Sequence, residues 1–154
     1  MPLILQLQPT IAAPPATAWE SLADIPNWMR WLPNLARLEV LGDAAFRAGM
    51  RFRETRKMFG RDATEVFEVI AARPAESLEL RVDGSEGSSR RGSYHFSYSL
   101  EPVAVGTCLH LDARIDGMGW FFKRIGKLFA GGFRRALAAD LAAFKRHVEA
   151  QPTR

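Results

Sequence analysis

The sequence predicts an α+β fold: a seven-stranded antiparallel sheet wrapped around one long C-terminal helix, with two short helices between strands one and two. Three observations predict it. Phe122, Ile125, Phe129, Phe133, Leu137, Leu141, Phe144 and Val148 recur at three- and four-residue steps, one apolar stripe on a helix covering most of 120–149. Upstream the period is two: Tyr94, Phe96, Tyr98 and Leu100 alternate with His95, Ser97 and Ser99, and Leu109, Leu111, Ala113 and Ile115 repeat the pattern. The connections between such runs are short, which suits hairpins and antiparallel pairing. A stripe that wide needs a partner surface, and the preceding chain offers mainly strands.

Leu3, Leu5 and Leu7 alternate with Ile4, Gln6 and Gln8, an opening strand over roughly 3–11. Pro14-Pro15 breaks it, and Pro15 suits a first helical position because its missing N–H would have no partner there. Ala16–Ala23 reads as a short helix burying Trp19 and Leu22, and Ile25–Leu32 as a second, stopped by Pro33. Leu35–Leu41, Met50–Met58 and Ala63–Ala71 read as strands, with a turn over Asp43–Gly49 and another at Gly60. Leu78, Leu80 and Val82 mark the next strand. The Gly- and Ser-rich stretch Asp83–Gly92 reads as a mobile hairpin loop, and Gly106-Thr107 opens the last strand. Gly131-Gly132 interrupts the long helical pattern; two glycines there cost roughly 1 kcal/mol each relative to alanine, which favours a bend, or else permits close approach to a strand or leaves room for a ligand.

A chain of 154 residues, 47% apolar and 25% charged, is expected to form one domain over 1–154 with a substantial core. No run approaches eighteen apolar residues, so no stable membrane insertion is expected. The start lacks the basic segment and long apolar run of a secretory signal, and the one cysteine, Cys108, has no internal disulfide partner; a cytoplasmic protein is the expectation. The net charge of +4 is uneven: residues 119–154 hold eight Lys/Arg against two acids, and residues 1–118 thirteen against fifteen. The basic helix admits a membrane-surface role. Its cations are spread around several faces, however, and those near the C-terminal end suit the helix dipole.

The order of strand, two short helices, six strands and long helix, with particular residues along it, resembles the START/birch-pollen-allergen-like helix-grip (SRPBCC) superfamily, in its polyketide cyclase/dehydrase and lipid-transport branch. The residues are Ile11-Ala12-Ala13-Pro14, Ala18-Trp19-Glu20-Ser21-Leu22-Ala23-Asp24 and Trp28-Met29-Arg30-Trp31-Leu32-Pro33 near the start. Gly49, Val69 with Pro74, Gly106-Thr107 and the closing Leu141-Ala142-Ala143-Phe144-Lys145 complete the set. The resemblance implies a cavity between sheet and long helix, lined mainly by apolar and aromatic side chains. Trp28, Trp31, Phe52, Phe67, Tyr94, Phe96, Tyr98, Phe122 and Phe129 are the candidate ligand-binding residues, although aromatics at strand or helix spacing also build ordinary cores. Tyr94 and Tyr98 carry hydroxyls that need partners if buried.

Charged residues on strands are sharper clues. If Phe52 faces inward, so do Glu54 and Arg56, and Glu65 shares a face with Phe67 and Val69. An inward Arg56–Glu65 arrangement would orient a polar group or move protons, making these two the candidate catalytic residues. The expectation is that both face solvent or neutralise each other at the cavity rim. His110 with Asp112, on one strand face, is a further acid–base candidate. The three histidines and Cys108 show no metal-ligand spacing, so no metal and no cofactor is expected. No nucleic-acid-binding motif is present. The expected partner is a small hydrophobic molecule (a lipid, polyketide or aromatic metabolite) bound by a carrier; the alternative is a polyketide cyclase/dehydrase-like enzyme using the same cavity. The sequence leaves the oligomeric state open.

Overall fold

The computed structural model describes residues 2–58 and 60–152, without the side chains of residues 121–123. The strands are β1 (Leu3–Leu7), β2 (Thr10–Ile11), β3 (Leu35–Leu41), β4 (Arg51–Met58), β5 (Arg61–Arg73), β6 (Ser77–Asp83), β7 (Ser93–Val103) and β8 (Gly106–Asp116). The helices are α1 (Pro15–Ala23), 3-10 helices over Ile25–Arg30 and Gly84–Glu86, and α2 (Trp120–Glu149). All strand pairs are antiparallel in the order β1-β8-β7-β6-β5-β4-β3, with β2 beside β8. The opening strand is therefore split in two. The break falls at Pro9, which has no N–H to give a ladder but whose carbonyl still accepts from Leu109 N at 2.9 Å.

Alternation places one side chain in two on the inner face, so Phe52, Val69, Leu78, Leu80, Leu109 and Leu111 are all buried. The register shifts between Leu35 and Arg37 on β3 and between Val69 and Ala71 on β5. Such bulges bend strands and increase their local twist. In the short-helix region α1 buries Ala18 and Leu22, while Trp19 is only partly buried, edge-on to Phe46 at 5.8 Å. Trp28 packs into the core and donates its indole N–H to the Leu22 carbonyl at 3.3 Å.

The β6–β7 connection, expected to be mobile, is tied down. Ser88 N donates to Thr64 O at 2.7 Å, Thr64 N donates to Ser88 Oγ at 2.8 Å, and Arg51 pairs with Glu86. Polar loop composition thus reflects bonding to β4 and β5 here.

Helix α2 is seated by Phe133, Leu137, Leu141, Phe144 and Val148, all buried. Ile125 is exposed despite its place in the sequence stripe, as are Trp120 and Leu128: periodicity identifies a face but not how far the partner surface extends. Polar ties fix the other end. Lys145 Nζ donates to Thr10 O and Glu149 Oε2, both at 2.6 Å; Ala12 N donates to Glu149 Oε2 at 2.7 Å; and Arg134 Nη2 reaches Gln6 O at 3.2 Å. Part of the basic excess thus holds the helix to the first strands. Among the described residues no helix is long and apolar enough to cross a membrane.

The glycine pair does not break α2, which runs unbroken through Gly131 and Gly132. A Cβ at Gly131 meets nothing within 4 Å, so no close approach explains that glycine. Gly131→Ala is expected to stabilise the fold by about 1 kcal/mol. Denaturant unfolding checks this; an unchanged or lowered midpoint would mean that the glycine serves a conformation other than this helix.

Candidate functional site

Between the inner face of the sheet and α2 lies a pocket with a cavity volume of about 100 Å³. Of the aromatic candidates, Trp28, Phe67, Tyr94, Phe96 and Tyr98 line it, and Phe133 of α2 closes the opposite wall. A second, smaller space of about 40 Å³ adjoins it, lined by Trp31, Leu141 and Phe144 and sharing Trp28, Arg56, Tyr98 and Asp140 with the first. Phe52 lines neither. It is fully buried, edge-on to Trp28 at 5.7 Å and stacked on Phe67 at 5.1 Å, and so backs the wall instead of forming it. Phe129 also lines neither, lying stacked on Phe133 at 5.6 Å. The Phe122 side chain lies outside the described residues.

The polar centre differs from the expected one. Register places Glu54, not Arg56, directly opposite Glu65, while Arg56 faces Ala63 across the ladder. Arg56 is 18% exposed and turns along its own strand and up to α2: Nε donates to Glu54 Oε1 at 2.8 Å and Nη1 to Asp140 Oδ2 at 2.7 Å. The expectation that Arg56 and Glu65 face solvent or neutralise each other is thus incorrect, because two nearer carboxylates claim the guanidinium. Asp140 went unnoticed in the sequence although its signal was there. It falls three residues after Leu137 and four before Phe144, a charge on the buried stripe of α2.

Burial works against the charge of Arg56, but Glu54 and Asp140 hold its pKa above the ordinary arginine value. Burial pushes the Asp140 carboxyl up to about 6; Arg56 opposes the rise and Glu54 adds to it. Tyr98 is likewise pushed up, first by burial and then by Asp140, with Arg56 opposing, so it keeps its proton. Its surface remains partly accessible because it faces the cavity. Glu54 Oε2 is buried with no hydrogen-bond partner among the described residues.

Glu65 serves a different purpose. Its Oε1 accepts from Ser89 N at 2.8 Å and from Ser89 Oγ, which also bonds Tyr94 OH at 2.7 Å. A Cβ at Gly87 would stand 2.4 Å from Glu65 Oε2, so the loop backbone packs directly over that oxygen, which has no hydrogen-bond partner among the described residues. Burial raises the Glu65 pKa against these Ser89 bonds. Tyr94 is raised by burial and by Glu65, against its Ser89 bond. Glu65 therefore anchors the β6–β7 loop while forming part of the pocket wall. The His110–Asp112 pairing does not form: His110 Nε2 meets Glu101 Oε2 at 2.8 Å on the outer face of the sheet.

Chemically, the centre offers a fixed cation with spare donors, a protonated phenol and a carboxyl that titrates close to neutrality. Because the Asp140 pKa lies above the value it takes in an unfolded chain, the folded state holds that proton more tightly. Its contribution to stability is full below about pH 4 and is lost as pH rises through about 6. Relative to Asp140→Asn, which does not titrate, the native chain should lose on the order of 2–3 kcal/mol across that interval. Urea unfolding of both chains between about pH 4 and 7 reads the difference; a flat difference would assign Asp140 an ordinary carboxyl.

The family model for polyketide cyclase/dehydrase and lipid transport matches residues 4–149. Among solved structures, the fold is similar to that of the ZhuI aromatase/cyclase from Streptomyces sp. R1128, with TM-score 0.81, 17% identity, and 97% of this chain and 94% of that one covered. It is also similar to ginseng major latex-like protein 151 from Panax ginseng (TM-score 0.79, 14% identity, 98% and 99% covered) and to Ara h 8.0201 (TM-score 0.73, 13% identity, 98% and 100% covered). At such identities the likeness carries the fold alone. No curated protein matches the chain in sequence. With the helix-grip architecture in place and the family pattern running almost from end to end, the chain belongs to the polyketide cyclase/dehydrase and lipid-transport family of the SRPBCC superfamily.

Proposed function

We propose that the protein binds a small, uncharged, largely apolar molecule bearing carbonyl or hydroxyl groups in the pocket between sheet and α2. The observation that carries this reading is the make-up of the wall: aromatic faces around one buried polar node. Apolar burial supplies the affinity, at about 25 cal/mol per Å². The node supplies orientation. Arg56 commits two N–H groups to Glu54 and Asp140, and the remaining donors of a guanidinium's five are free to meet a ligand oxygen. Tyr98, still protonated, adds a hydroxyl. Three carboxylates line the pocket (Glu54, Glu65 and Asp140) against Arg56 and the exposed Lys57, so a carboxylate or phosphate head group meets repulsion.

A second reading, a cyclase/dehydrase-like enzyme, is favoured by Asp140. A carboxyl with a pKa near 6, bonded to a buried cation, is suited to exchanging a proton with a substrate while the cation stabilises a developing oxyanion.

Native mass spectrometry of protein isolated from its own host tests the ligand class directly. A co-purifying fatty-acid or phospholipid anion would sink the reading of an uncharged ligand. Ala136 lines the pocket, and Ala136→Phe is expected to weaken binding of a polycyclic phenolic ketone at least about tenfold, roughly 1.4 kcal/mol, with the fold retained by circular dichroism. Unchanged affinity would place binding elsewhere. The Tyr98 hydroxyl makes no hydrogen bond among the described residues, so Tyr98→Phe should leave the melting temperature unchanged or higher. It should weaken the ketone several-fold, within about 1 kcal/mol, but not a plain aromatic hydrocarbon. Asp140→Asn separates the two readings: turnover lost with affinity kept assigns the enzyme, and no turnover in the native chain assigns the carrier.

A further inference from the structure

On the outer face of the sheet, away from the pocket, the β7–β8 ladder assembles three different ligand types. Glu101 and Cys108 are direct cross-strand partners, and His110 is two residues beyond Cys108 on the same face of β8. One ligand atom from each, a carboxylate oxygen, the thiol sulfur and an imidazole nitrogen, lies within 4.8 Å of the other two. The expectation of no metal-ligand set from sequence spacing missed this, because the third residue arrives from the neighbouring strand and only the register brings it in.

From this juxtaposition we propose that Glu101, Cys108 and His110 bind a zinc ion on the convex face of the sheet. Sulfur, imidazole and carboxylate are the three protein ligand classes that zinc takes, with bonds of about 2.0–2.3 Å in a tetrahedron. Such bonds set ligand atoms about 3.3–3.8 Å apart, so the three groups need only small rotations. The His110 Nε2–Glu101 Oε2 contact at 2.8 Å opens to admit the ion, and Cys108 gives its proton to solvent on binding. All three side chains stand on paired strands near the hairpin end, which limits how far they must be ordered. His110 and Cys108 are half-buried and Glu101 is exposed, leaving the fourth position to water. The site is independent of the pocket, since the neighbouring inward residues Leu109 and Leu111 separate the two faces.

The test uses untagged, chelator-treated full-length protein and zinc or cobalt ions alone. Calorimetry is expected to give one zinc per chain, and cobalt a thiolate-to-metal absorption band in the near ultraviolet. Zinc should also slow alkylation of Cys108 in the unaltered protein, a readout that needs no variant. Cys108→Ser should abolish the cobalt band, and Cys108→Ser and His110→Ala should each weaken zinc binding about tenfold or more, with Glu101→Gln weakening it less. His95→Ala, on the same sheet face but six residues before Glu101 along β7, should change nothing. The proposal is overturned by the absence of stoichiometric binding, by an alkylation rate indifferent to zinc, or by affinity that survives loss of both Cys108 and His110.

Discussion

A carboxylate on the buried stripe of α2 has to be answered from the sheet, and much of the interior follows from that requirement. Asp140 stands among Leu137, Leu141 and Phe144, where an unpaired charge would cost several kcal/mol. Arg56 supplies the counter-charge from β4, and Glu54 on the same strand holds the guanidinium from below. Three charges on two elements thereby fix the depth at which the helix sits over the sheet. Because the node cannot be packed as tightly as hydrocarbon, space remains on both sides of it: Trp28, Arg56, Tyr98 and Asp140 are common to the walls of both cavities. The salt-bridged node is thus a partition as well as an anchor.

The other inward carboxylate shows how similar chemistry takes a different role under different constraints. Glu65 lies opposite Glu54 in the ladder, where two like charges would repel if both pointed at one partner. The β6–β7 loop draws it away through Ser89, and Gly87 covers its second oxygen. One acid is therefore tied to a cation and a helix, the other to a loop. Beside them, at the next inward pair of the ladder, the stacked rings of Phe52, Phe67 and Phe96 form a rigid plate, with centroid spacings of 5.1 and 6.0 Å. A plate of that kind resists collapse into the space beside it, since rings have few rotamers with which to fill a gap.

Most of the architecture was legible in local periodicity, because alternation and the 3.6-residue stripe are direct imprints of which face is buried. The helix stripe and the β7 and β8 patterns are the clearest cases. What periodicity cannot carry is register. The expectation that Arg56 and Glu65 face solvent or neutralise each other rests on strand faces alone, whereas a two-residue difference in cross-strand alignment, together with a carboxylate from α2, redirects the guanidinium. Asp140 itself is legible as a charge at an apolar position of the stripe, a signal that the hydrophobic members alone do not carry. Glu101, Cys108 and His110 lie close in sequence, yet their grouping emerges only once β7 is laid against β8. The exposed first turns of α2 were illegible for a further reason: a stripe records a preference of side chains, while the length of the surface they meet belongs to the sheet.

The bulge near Ile70 has a consequence for how this sheet can change length. Before it, Phe67 and Val69 face inward opposite Val82 and Leu80; after it, Ala72 faces inward opposite Leu78, so the parity of β5 switches within a single strand. Removing the extra residue at that point would restore uniform alternation and leave Ala72 facing inward opposite Leu78, whereas removing one earlier would put the pocket-lining set of Ala63, Glu65 and Phe67 out of phase with the rest of the strand. A single deletion in β5 therefore spares the inner face only at the bulge, and elsewhere changes of length are neutral only in pairs. The bulge acts as a phase marker, separating a segment of the strand that evolves with the pocket from one that evolves with the rest of the core.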